Sequence, residues 1–164
     1  MVSLDLLRQI RVFRGLNQEE FEVVLGLTSV WECAKNQYVF KEGDVSDVLY
    51  IVADGEVAVI ISTGLLVNHT VATFTRGDVF GELAFIDPSP RTATIRCTQP
   101  TQLISITRDD FRHLASKHPN IQRIVYKNLS RILSERLRNA NEKLKELAGK
   151  DRHLAPALPM FFTV

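Results

Sequence analysis

Between Val30 and Ile106 the chain is interrupted by turn signals at short, even intervals. Glu42-Gly43-Asp44, Asp54-Gly55, Ser62-Thr63-Gly64, Arg76-Gly77-Asp78 and Gln99-Pro100 are each built from residues that bend a backbone. Glycine accepts positive φ, proline fixes its own φ, and aspartate hydrogen-bonds back to the main chain. The intervals of about 8–12 residues are those of an all-β domain, and β-branched and aromatic residues dominate between them. Segments near 37–41, 48–53, 56–62, 67–74, 93–97 and 101–106 read as strands. Short, evenly spaced strands suit an antiparallel sandwich, jelly roll or barrel.

Helical signals flank this middle. Leu4, Leu7 and Ile10 recur at helical spacing. Asn17, followed by Gln18-Glu19-Glu20, forms a capping box with Glu20 at N3, and Leu16 and Phe21 stand where a hydrophobic staple would. Two short helices are therefore expected before residue 30. After the strands, Thr107 can cap a helix over 108–116, with Ile106 and Phe111 as a second staple. Pro119 suits the first turn of a last helix running to about 148, where Gly149 would stop it. On that helix Leu133, Leu137, Ala140, Leu144 and Leu147 are spaced four, three, four, three, a heptad seam. The seam could pack on the chain's own β-domain or join two copies as a dimer. The partition expected is one domain over 1–148, with helices in 1–29, a β-roll in 30–106 and helices in 107–148. A flexible tail, 149–164, follows; its Met160-Phe161-Phe162 could dock on the domain or on a partner.

Charge excludes several functions. Lys plus Arg is 20 and Asp plus Glu is 19, so the net charge of +1 does not suit nucleic-acid binding by bulk charge. The balance hides an asymmetry, −4 over residues 1–120 and +5 over 121–152. The longest apolar run is the six residues Val48 to Ala53, against the ~18–20 of a membrane span. Met-Val-Ser-Leu-Asp-Leu-Leu-Arg does not read as a secretory signal, and none is expected. Cys33 and Cys97 are too few for a disulfide scaffold; both read as small core residues, and a reducing cytoplasm is the expected compartment. Of His69, His113, His118 and His153, only His69 falls on an expected strand. A metal site of the kind found in enzymes on a related double-stranded β-helix is not expected, nor is any catalytic residue or cofactor.

One stretch breaks the strand rhythm, Gly77-Asp78-Val79-Phe80-Gly81-Glu82-Leu83-Ala84-Phe85-Ile86-Asp87-Pro88-Ser89-Pro90-Arg91-Thr92-Ala93-Thr94-Ile95. Glu82 to Ile86 is long enough for one helical turn. Its first N–H groups, around Leu83 and Ala84, lack intrahelical partners and attract an anion. Gly81 carries no Cβ and Ala84 only a methyl, so a ligand can come close. Pro88 and Pro90 stiffen the return to Arg91, whose planar fork can close on the same anion. The small Thr92 and Ala93 follow. A carboxylate beside an anion makes sense if Glu82 accepts a hydroxyl of the same ligand. A phosphate and a ribose 2′-OH that close together describe a cyclic nucleotide.

Phe80-Gly81-Glu82-Leu83-Ala84, then six residues, then Arg91-Thr92-Ala93-Thr94-Ile95 resembles the phosphate-binding cassette of the cyclic nucleotide-binding domain family. The family includes protein kinase A regulatory subunits, cyclic nucleotide-gated channels and the bacterial catabolite activator protein. Val39-Phe40-Lys41-Glu42-Gly43-Asp44, running into Val48-Leu49-Tyr50-Ile51-Val52 and Gly55, resembles its strand–turn–strand signature. Ser46 stands where the family often has Gly or Ala. The likeness covers about residues 5–147. It implies a mainly β fold, an eight-stranded antiparallel jelly roll with N-terminal helices and a long C-terminal helix. It also implies that Glu82 bonds the ribose, that Arg91 pairs the phosphate, and that the N–H groups of Leu83, Ala84 and Thr92 complete the cradle. Val71 is expected to line the base pocket. A hydroxyl at Thr92 serves cGMP selectivity in some members, yet cAMP-preferring members carry it too, and cAMP is the first expectation. With the few residues after the last helix, direct DNA binding is not expected. The expectation is a stand-alone sensor that passes its signal to an effector protein. The alternative is an interaction module that has lost its ligand.

Overall fold

The turns implied by the glycines are where the strands end. The computed structural model describes residues 4–63 and 67–150, and eight strands form among them. In chain order they are β1 (Ser29–Cys33), β2 (Tyr38–Phe40), β3 (Leu49–Asp54), β4 (Glu56–Thr63), β5 (Val67–Thr75), β6 (Val79–Phe80), β7 (Thr94–Cys97) and β8 (Thr101–Ile106). They make two four-stranded antiparallel sheets, β1-β8-β3-β6 and β2-β7-β4-β5. Consecutive strands alternate between the sheets often enough to give the jelly-roll arrangement. The turn expected at Ser62-Thr63-Gly64 runs into residues outside those described. β1 and β6 were not among the expected strands.

The inner faces meet in one core. Cys33, Tyr50, Val52, Phe80 and Leu103 of the first sheet pack against Val39, Val57, Ile95 and Cys97 of the second. Alternation along β7 delivers Ile95 and Cys97 inward. Each large side chain buried this way contributes about 1.5–3 kcal/mol.

The helices start as their caps dictate. In α2 (Gln18–Leu25) the Asn17 side chain accepts from the Glu20 N–H at 2.9 Å, and the Glu20 carboxylate accepts from the Asn17 N–H at 2.8 Å. It follows α1 (Leu4–Gln9) and a single 3₁₀ turn, Arg11–Phe13. After the one-turn helix α3 (Glu82–Ile86) and the last strands, Thr107 caps α4 (Arg108–Lys117), accepting from the Asp110 N–H at 3.1 Å. α5 runs from Pro119 to Lys150. It does not stop at Gly149: that glycine is helical, and a glycine in an exposed helix costs only about 1 kcal/mol.

Two compact units divide the chain, residues 1–128 and 129–164. Within the first, the buried Asn128 amide donates to the carbonyls of Val12 (3.0 Å) and Arg14 (2.8 Å), tying the N-terminal segment to the start of α5. A chain of rings links α3, α4 and α5: Phe85 to Phe111 at 5.4 Å, and Phe111 to Tyr126 at 5.7 Å. In the second unit Leu137, Ala140, Leu144 and Leu147 are exposed, Leu137 at 63%, and Leu133 is half-buried. No helix among the described residues is long and apolar enough to cross a membrane.

Candidate functional site

Strand β6 ends at Phe80, and the chain turns sharply into α3 through Gly81, whose φ is +77°. A Cβ there would lie 2.6 Å from Arg91 Nη1 and 2.8 Å from the Val48 carbonyl, so only glycine fits. After α3, the segment 87–93 carries the chain back to β7. Its key residue, Arg91, is held first through its main chain. The Arg91 N–H donates to the Asp44 carbonyl and the Gly43 N–H donates to the Arg91 carbonyl, both at 2.9 Å. The β2–β3 loop thus fixes Arg91 across a long sequence separation.

A cavity of about 80 Å³ opens between these segments. Gly81, Glu82, Leu83 and Ala84 line one side, and Pro90, Arg91, Thr92 and Ala93 the other. Phe40, Val59 and Ile95 supply an apolar wall. Glu82 is 7% exposed and Arg91 4%, so both charges are taken out of water.

The guanidinium of Arg91 is held in a fixed orientation. Nη1 donates to the Gly81 carbonyl at 3.0 Å, and Nη2 donates to the Val48 carbonyl at 2.8 Å and to Ser46 Oγ at 3.0 Å. Its Cζ lies 4.2 Å from the centre of the Phe40 ring, a cation–π contact, with Tyr50 at 5.8 Å. Burial pushes the guanidinium pKa below its ordinary value; Tyr50, Asp47, Glu82 and Asp44 oppose that shift. The group still stays charged, because arginine does not deprotonate in proteins. Burial likewise raises the Tyr50 phenol, and the Arg91 charge works against it. Two of the five donors are left over, one hydrogen on Nη1 and the Nε–H, and Nε is buried with no hydrogen-bond partner at all. An orphaned charged donor costs more than the ~1–3 kcal/mol of a neutral one, and a small anion in the adjoining cavity would satisfy it.

Seven of the eight residues singled out from the sequence, Gly81, Glu82, Leu83, Ala84, Arg91, Thr92 and Ala93, line this one cavity. Val71 does not. It is 41% exposed on β5, at a register break where Val59 pairs with Ala72 and Ile60 with Thr70. Val71 is the extra residue of that bulge, and a bulge re-aims its side chain. Phe40, Val59 and Ile95 were not foreseen as lining residues; inward alternation along β4 and β7 is the signal that marks Val59 and Ile95, while Phe40 stands at a register shift of β2. Ser46 was noted only as a departure from a family pattern, and its bond to Arg91 was not foreseen. No cluster of three metal-ligating side chains occurs among the described residues.

Known proteins are similar to this chain in sequence and fold. The sequence pattern of the cyclic nucleotide-binding domain matches residues 30–118, from β1 past the end of α4. The chain is similar to the cyclic AMP receptor protein of Thermus thermophilus, 29% identical over 140 residues, 85% of this chain and 63% of that protein. A cyclic nucleotide-binding domain from Methylobacillus flagellatus superposes with a TM-score of 0.77 at 26% identity, covering 85% of this chain and 79% of that one. The regulatory domain of Toxoplasma gondii PKA, solved with cAMP, superposes with a TM-score of 0.67 at 25% identity, over 78% of this chain and 48% of that one. The chain spans less than two thirds of the length of the curated relatives it matches. On the matched pattern and the shared fold, the chain belongs to the cyclic nucleotide-binding domain family.

Proposed function

We propose that this chain is a non-enzymatic cytoplasmic sensor that binds a cyclic nucleotide, cAMP in preference to cGMP, and reports occupancy to an effector protein. The observation that carries the proposal is the pair of buried charges, Glu82 and Arg91, lining one cavity, with the Arg91 Nε–H unpartnered. The cyclic phosphate takes that donor together with the first-turn N–H groups of α3. Glu82 accepts the ribose 2′-OH, and Arg91 offsets its charge. The base lies against the apolar wall around Val59 and Ile95, with Thr92 beside it; the Thr92 hydroxyl can serve guanine, which keeps cGMP as the rival ligand. Support for cAMP comes from the cyclic AMP receptor protein and the cAMP-bound PKA domain among the similar proteins.

The output follows from the ring chain. Phosphate orders the segment 81–91, Phe85 on α3 moves with it, and Phe111 and Tyr126 carry the change to α5. Nucleotide shifts that equilibrium only if it binds one arrangement better than the other. The exposed Leu137, Leu144 and Leu147 favour a homodimer seam on α5. The same leucines would serve the second reading, an interaction module without a ligand.

Calorimetry with cAMP and cGMP, on ligand-stripped wild type and on Arg91→Ala, separates the two. Heat with wild type and its loss in the variant is the expected result. A well-folded wild type that gives no heat with either nucleotide overturns the sensor. Hydrogen exchange tests the output: protection of α5 that is identical with and without nucleotide refutes the helix rearrangement.

A further inference from the structure

Arg91 is held by three acceptors, and they are not equivalent. The carbonyls of Gly81 and Val48 belong to the main chain and would be present whatever side chains stood there. The third, Ser46 Oγ, depends on one residue choice. Asp47, the neighbouring carboxylate, spends its direct bond elsewhere: Asp47 Oδ2 pairs with Nη2 of Arg108, the first residue of α4, at 3.0 Å. The side chain bonded to Arg91 is therefore a neutral hydroxyl.

That combination has a chemical consequence. A guanidinium carries five N–H donors, two of them on Nη2. Here both Nη2 hydrogens are taken, by Val48 and Ser46, and one on Nη1 by Gly81, which leaves the other Nη1 hydrogen and the Nε–H. Fixing Nη2 from two directions stops the planar group from turning about its own axis. A carboxylate in the place of the hydroxyl would hold the group equally well but would neutralise the charge an anion needs. We propose that Ser46 is a positioning residue for the nucleotide phosphate: its hydroxyl orients Arg91 with Nε–H left for the anion and leaves the guanidinium charge uncancelled. The inference rests on the nucleotide-binding reading above and names the residue that tunes it.

Ser46 is half-buried on a loop beside the almost fully exposed Val45, so its substitution leaves the core intact. The test uses the full chain with cAMP as probe, and variants Ser46→Ala, Ser46→Thr and Ser46→Asp. Calorimetry should show Ser46→Ala binding cAMP roughly three- to tenfold more weakly, the loss of one hydrogen bond. Ser46→Thr should restore binding to within about twofold of wild type. Ser46→Asp, which keeps an acceptor but cancels charge, should bind more weakly than Ser46→Ala. Melting temperatures measured alongside should agree between wild type and Ser46→Ala. A second readout needs no nucleotide: in ¹⁵N-labelled protein the Arg91 Nε–H resonance should broaden in Ser46→Ala and recover in Ser46→Thr. Ser46→Ala that matches wild type in both affinity and resonance overturns the positioning role alone. Wild type that binds no nucleotide overturns the sensor reading, whatever the resonance does.

Discussion

Replacing Gly81 by alanine should damage the fold and the site together, and a second glycine supplies the control. Gly77 has φ +89°, and a Cβ added there meets nothing within 4 Å. Gly81 has φ +77°, and its added Cβ falls 2.6 Å from Arg91 Nη1 and 2.8 Å from the Val48 carbonyl. Both substitutions force an L side chain into the left-handed region, which costs about 1–2 kcal/mol. At Gly81 the Val48 carbonyl is main chain leading into β3 and cannot step aside, so Arg91 must. The guanidinium then loses its bond to the Gly81 carbonyl, about 1.5–3 kcal/mol for a charged donor. Gly81→Ala should therefore destabilise by about 2.5–5 kcal/mol in all. With a urea slope of about 1–3 kcal/mol per molar, its midpoint should lie roughly 1 M below that of Gly77→Ala. Binding separates the two further. Gly81→Ala moves the fork and should lower cAMP affinity at least about tenfold, whereas Gly77→Ala should leave it unchanged. Urea denaturation and calorimetry on the same preparations measure both. Equal midpoints and equal affinities for the two variants would refute the close-packing argument at Gly81.

Other perturbations address the remaining parts. Glu82→Gln should weaken cAMP about tenfold, and 2′-deoxy-cAMP should bind wild type and variant alike, because the bond at issue is absent from that ligand; calorimetry with both ligands decides. The Cys33 thiol is pushed up to about 12 by burial and by its hydrogen bond to Cys97. The unfolded thiol ionises near 9 and the folded one holds its proton longer, so stability present below pH 9 is lost as pH rises towards 12. Urea midpoints from pH 8 to 10.5 should fall more steeply for wild type than for Cys33→Val. If α5 joins two copies, Leu137→Lys and Leu144→Lys should each convert a dimer to monomer in sedimentation velocity, and a species distribution that ignores both changes argues against the seam.

What could be foreseen from the residues follows the range of the interactions involved. Caps and turns are local, and Asn17, Thr107 and the Gly-Asp turns acted as their chemistry requires. β1 and β6 escaped because each lies at the edge of its sheet and is set by its neighbour. β1 exposes Val30 and fully buries only Cys33, so its five residues carry no alternation; pairing with β8 from Ser29 to Cys33 makes it a strand. β6 has only two residues and exists through Tyr50 and Ile51. Val71 lies outside the cavity for a subtler reason. Thr70-Val71-Ala72 reads as unbroken strand, and the bulge that turns Val71 away is a property of the pairing with β4 rather than of the three residues.

The same distinction divides the site. Gly81 to Ala93 is contiguous, so a single stretch of sequence carried both charges, the first helical turn and the stiff return. The parts that make the arginine usable come from far along the chain. Phe40 lies beneath the guanidinium, and Ser46 and Val48 hold Nη2 across 45 and 43 residues. A buried arginine with all its donors satisfied by protein would be a structural residue with nothing to offer a ligand. Three protein acceptors leave two of the five N–H donors over, the Nε–H among them, and these border a cavity in which an anion can take them. The folded chain carries the cost of the orphaned Nε–H until a ligand removes it, so nucleotide should stabilise the segment 81–91 more than any stretch remote from Arg91.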